Sequence, residues 1–130
     1  MANILAAATG NDPSTGSNIG STYTVTTIGD QTNRETNIVT EAELAFGFTP
    51  VTAPSILIVK CISLFDPAVG DPTTSIYWGY ATGVYEHELF IGETAVVRLR
   101  AGGPITQIFM ISADVATPTH FNVESQVWEQ

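Results

Sequence analysis

The sequence predicts an all-β chain: an antiparallel β-sandwich or jelly-roll-like domain with an extended N-terminal arm. Three observations lead there. Short apolar or alternating runs recur at roughly even spacing, clusters of Gly, Pro, Asp and Asn separate them, and no stretch repeats its apolar residues at helical spacing. Parallel folds need long crossover connections, usually helices, and none is visible. The length of 130 residues suits one domain. A chain of this size buries roughly two-thirds of its unfolded surface, enough to fold without disulfides or metals.

Residues 1–21 read as the arm. ANILAAA is followed by TGNDPSTGSNIGS, a composition that builds no core of its own. Ile4 and Leu5 are its candidate contact residues. The sandwich domain is expected over 22–130. TYTVTTI (22–28) is rich in β-branched residues and reads as its first strand. ETNIVTEAEL (35–44) sets Ile38, Ala42 and Leu44 in phase, and a short helix competes with a strand there. SILIVKCISLF (55–65) is the strongest apolar run, as expected of a central strand.

DPAVGDP (66–72) carries two Asp-Pro pairs and reads as a turn. TSIYWGYATG (74–83) and YEHELFIGE (85–93) follow as strands. In AVVRLR (95–100), Ala95, Val97 and Leu99 face inward, and Arg98 and Arg100 share the other face with Val96. ITQIFMISA (105–113) and HFNVESQVW (120–128) complete the series, the last with Phe121, Val123 and Val127 in phase.

Charge bounds the partners. Thirteen acidic residues stand against four basic ones, Arg34, Lys60, Arg98 and Arg100, for a formal net charge of -9. Phosphate binding needs clustered Lys and Arg, so nucleic acid is not expected as a partner. The same sign disfavours anionic membrane surfaces, and no apolar run approaches the ~20 residues of a membrane helix. The start, MANILAAATG, lacks a basic region and a long apolar stretch, so synthesis in a cytoplasm without a signal peptide is expected.

No catalytic set emerges, and the chain is read as a non-enzyme without cofactors. Cys61 is alone and sits in the most apolar strand, which predicts a buried, inert thiol. His87 and His120 are isolated from each other and from any second ligand at metal-site spacing, and no metal site is expected. Glu86 and Glu88 share a strand face opposite His87, an arrangement more typical of an exposed polar edge than of a carboxylate pair at work. Asp66 and Asp71 lack calcium-loop spacing and are explained by turn chemistry. There is no nucleophile elbow, and Gly102-Gly103-Pro104 lacks the lysine and helix of a phosphate loop.

The aromatic residues are the stronger signal. Tyr77, Trp78, Tyr80 and Tyr85 fall within nine residues. Alternation groups Trp78 and Tyr80 with Ile76 and sets Tyr77 opposite them. That face is either sandwich core or a platform for a sugar ring or a partner protein. Trp128 either anchors the C-terminal strand or reaches a neighbour.

The second half also has a recognisable cadence: an ILIVKCISL strand, an SIYWGYATG strand, then FIGETAVVRL, ITQIFMISADVAT and FNVESQVWE. In this it resembles small virion structural proteins of tailed bacteriophages. The matching positions are Gly92, Glu93, Val96, Val97, Arg98, Leu99, Ala113, Val123 and Glu124, and the resemblance covers about residues 55–128. Cys61, where that pattern often has Asn, and the long DPAVGDP loop depart from it. The resemblance implies a capsid cement or decoration subunit, or else a neck or tail component of the virion. It further implies a homo-oligomer, often a trimer, held on the major capsid protein or another virion protein. The competing expectation from the aromatic cluster is a carbohydrate- or receptor-binding module.

Overall fold

A computed structural model describes residues 2–12, 17–27, 32–100, 103–115 and 118–129, with backbone pairing alone for the first two segments. All regular structure among the described residues is β. The strands are β1 (Ala2–Asp12), β2 (Ser17–Thr27), β3 (Thr32–Val39), β4 (Leu44–Gly47), β5 (Pro54–Leu64), β6 (Ser75–Gly79), β7 (His87–Phe90), β8 (Thr94–Arg98), β9 (Gln107–Ser112) and β10 (Phe121–Glu129).

Strands β3 to β10 form two antiparallel four-stranded sheets. The first has the order β3-β10-β5-β8 and the second β4-β9-β6-β7. The chain pairs from its ends inward: β3 with β10, β4 with β9, β5 with β8 and β6 with β7. It is one long hairpin rolled up, and the pairings β10–β5 and β9–β6 close the two sheets. This is the jelly-roll arrangement, with β3 and β8 as the edges of one sheet and β4 and β7 as the edges of the other.

Alternation decides what lies between the sheets. Leu57, Val59 and Cys61 of β5 and Phe121, Val123 and Val127 of β10 meet Phe46, Ile76, Trp78, Ile108 and Met110 of the second sheet. Each such side chain contributes on the order of 1.5–3 kcal/mol when fully buried. Residues one step out of phase, such as Lys60 and Arg98, are exposed. The inward face of β8, with Ala95 and Val97, and of Leu99 just past it, is as the alternation predicts.

The expected strand over 35–44 is divided. β3 stops at Val39, and the Thr40 hydroxyl accepts the Ala42 N–H and turns the chain. The chain restarts at Leu44 in the other sheet, because a jelly roll needs a sheet-to-sheet crossing there.

The N-terminal segment also differs from a bare arm. β1 and β2 pair with each other as a separate two-stranded sheet, with Ile4 opposite Val25 and Ala6 opposite Tyr23. Strand β2 runs through residue 21, and Thr22–Thr27 pair with β1. TYTVTT therefore pairs with the arm rather than with the sandwich.

Candidate interaction surfaces

The aromatic cluster separates by strand parity. Ile76 and Trp78 point into the core, and Trp78 is 1% exposed. The His87 ring stacks on the Trp78 indole at a centroid distance of 4.3 Å, and Tyr80 meets both rings edge-on. His87 Nε2 lies 3.2 Å from the Tyr80 hydroxyl. Trp78 is therefore no platform: its neighbours Ile76 and Leu89 are buried with it, and its strand phase points inward. Its indole N–H has no hydrogen-bond partner among the described residues. Tyr80 is half-buried beside it, and burial raises its phenol pKa.

Tyr85 serves the turn. Its hydroxyl donates to Glu43, which also accepts from the Thr82 hydroxyl and the Gly83 N–H. These bonds, led by that from Thr82, lower the Glu43 pKa. The Tyr85 phenol is pushed up to about 12 by burial and by the Glu43 carboxylate. Gly83 has a φ of 72° in this two-residue turn, a conformation suited to glycine. Gly79 is required for another reason: a Cβ there would lie 2.2 Å from the Val84 carbonyl oxygen.

Tyr77 faces outward and is 41% exposed. Directly beside it in register lie Glu88 and Ile111, and Ser75 sits opposite Phe90, which is 44% exposed. Phe109, opposite Ala45 and Gly79, extends the surface as a half-buried residue. The outer face of the second sheet is thus apolar, aromatic and acidic. Ser75 Oγ donates to Glu88 at 2.6 Å, and Glu86 is exposed in the same phase. The strands of this sheet contain no lysine or arginine.

The outer face of the first sheet has the opposite character. Arg34, Lys60 and Arg98 all project from it, and Arg100 is exposed in the same phase just past β8. All four basic side chains of the chain therefore belong to one side of the sandwich. Arg34 reaches Glu124 at 3.1 Å. Hydrogen bonds from Gln126 and then Arg34 lower the Glu124 pKa. Ile58, half-buried, lies opposite Val96, which is 37% exposed, and Ile38 and Ile62 add exposed apolar surface. Trp128 lies on this face, opposite the fully buried Ile56, and its indole N–H donates to Gln126 at 3.2 Å. That bond lies within β10, and the ring remains partly exposed.

Of the residues singled out in the sequence, Tyr77 and Trp128 thus stand on outer faces, on opposite sides of the sandwich. Trp78, Tyr80 and Tyr85 do not present a joint surface. Ile4 and Leu5 lie on β1, whose side chains are outside the described residues. Sequence reasoning missed Phe90, Phe109 and Ile111. The signal for Phe90 was present in its phase with Glu86 and Glu88, but ELFIG reads more readily as an inward run.

The other chemistry-bearing groups are occupied structurally. Cys61 is fully buried, and burial ahead of the nearby Glu93 charge pushes its thiol up to about 11. Asp66 accepts the Ala68 N–H at 3.0 Å, and Asp71 accepts the Thr73 N–H at 2.9 Å and its hydroxyl at 2.7 Å. His120 Nε2 lies 2.9 Å from Glu41. Among the described residues no three His, Cys, Asp or Glu side chains are grouped as a metal would need. A cleft of about 180 Å³ lies among Phe65, Val69, Pro118 and His120, and another of about 210 Å³ among Leu99, Arg100, Pro104 and Ile105. Both are smaller than the roughly 300–1,000 Å³ of small-molecule sites. Compared with protein-family models, with curated proteins and with solved structures, the chain matches none of them.

Proposed function

We propose that the chain is a non-catalytic virion structural protein of a tailed phage: a capsid cement or decoration subunit that stabilises the shell through contacts between subunits. The observation that carries this reading is the pairing of a jelly roll with two broad outer faces that both expose apolar side chains. Jelly rolls recur in viral capsid domains and in lectins, an analogy of fold that raises the prior without assigning a role. The sequence cadence over 55–128 supports the virion over the lectin. Burial of Trp78 removes the main support for glycan binding, because stacking on a sugar needs an exposed ring.

The hairpin β1–β2 supplies a second contact element. An isolated two-stranded ribbon is marginal in water, so its natural place is against a partner surface. Many copies on a shell gain by avidity, so each contact is allowed to be weak. The test is co-sedimentation of the purified protein with mature or expanded shells of its phage. Stoichiometric binding is expected, and deletion of residues 1–20 should weaken it while the sandwich still unfolds cooperatively. Failure to bind any shell form would overturn the proposal.

A further inference from the structure

The four cations and the acidic side chains near the second sheet are segregated to opposite sides of one small sandwich. Arg34, Lys60 and Arg98 rise from the outer face of the first sheet among Ile58, Ile62 and Val96. Glu88, with Glu86 in phase, stands on the outer face of the second sheet beside Tyr77 and Phe90. Both faces carry exposed apolar surface; the second is bordered by carboxylates, and the first holds its cations around a single carboxylate, Glu124, which engages Arg34 and lies opposite Lys60.

We infer that the partner of the cationic face is the acidic, aromatic face of a second copy of this chain. Complementarity argues for this occupant. With a net charge of -9, two copies repel in most orientations. The face bearing Lys60 and Arg98 is the one side from which an acidic copy is attracted, and its partner must offer both carboxylates and apolar rings. Tyr77, Glu88 and Phe90 offer both. Charge of this kind selects the register, and burial of the apolar centre supplies the affinity.

The geometry has a consequence for symmetry. The two faces lie on opposite sides of the sandwich, so the contact is heterologous. Every copy donates one face and accepts with the other, and the assembly closes into a ring or continues as a column according to the rotation between copies. A two-fold dimer, in which one patch meets itself, is not what these faces build. This deepens the assembly reading above by naming its self-contact, and it stands or falls separately from shell binding.

The experiment uses two charge-reversed full chains, K60E/R98E and E86K/E88K, with sedimentation velocity at physiological ionic strength. The four side chains are exposed; because Glu88 accepts from the Ser75 hydroxyl, a parent-like cooperative urea transition of each variant is the control for folding. The parent should form species larger than a dimer. Each variant alone should be monomeric, since its two faces now carry like charge. An equimolar mixture restores opposite charge at every contact and should regain the assembled state, at the parent's mean net charge. Monomeric parent protein, variants that assemble as the parent does, or a mixture that stays monomeric would each overturn the inference. Shell co-sedimentation of the parent reads the virion proposal independently.

Discussion

Adjacent residues in this chain have opposite fates, and Tyr77 and Trp78 show it best. One step along β6 moves an aromatic ring from the solvent face to the core. Trp78→Ala should destabilise the fold by about 3–5 kcal/mol, as large core truncations do. Tyr77→Ala should change stability by less than about 1 kcal/mol, within the range of ordinary surface substitutions. Urea denaturation of the two variants checks both. Cys61 belongs with Trp78: with its thiol pushed up to about 11 and fully buried, it should react with a chromogenic disulfide reagent at pH 8 only as fast as the protein unfolds. Burst-phase labelling of the native protein would contradict that. Glu43 gives a pH signature. Its pKa is lowered below 4.5 in the fold, so its stabilising effect is complete above that value and lost as pH falls through the folded pKa. Glu41, Asp71 and Glu124 are shifted in the same direction. The melting temperature should therefore decline on acidification below about pH 4.5, and Glu43→Gln should shrink that decline.

The strands themselves were legible, and the switches between sheets were not. β5, β6, β8, β9 and β10 lie close to the apolar runs because a two-residue period is a local property of sequence. The break between β3 and β4 is not local. ETNIVTEAEL contains no Gly or Pro to mark it, and the crossing is imposed by β9 and β10, which lie far downstream in the chain. Pairing of TYTVTT with the arm was hidden for the same reason: a strand's partner is set by register over distance. Gly79 shows how tightly these elements fit. Gly79→Ala should force the 81–85 turn off the end of β6, because the new methyl would overlap the Val84 carbonyl. The near-ultraviolet circular dichroism of the Trp78–Tyr80–His87 cluster should change along with a loss of stability, whereas Gly47→Ala, with open space around it, should leave that spectrum intact.

At the scale of the whole molecule, folding gives what the composition could not: a direction. A net charge of -9 describes an acidic particle, yet the sandwich gathers its four cations on one side. The parity of Lys60, Arg98 and Arg100 was readable from the sequence. That β5 and β8 are neighbours in one sheet, with Arg34 in the same sheet, was not. The aromatic signal likewise left two readings open, because alternation groups Trp78 with Tyr80 without saying which group faces the core. The proposal is of a jelly roll that works through its faces and its N-terminal hairpin; Cys61 and Trp78 are buried, and Asp66, Asp71 and His120 are hydrogen-bonded. The most direct measurement of that proposal is co-sedimentation of the purified full chain with tailed-phage shells, followed by counting the copies bound. The account predicts saturable binding at a fixed number of copies per shell subunit. A protein that leaves every shell form bare at saturating concentration would contradict it.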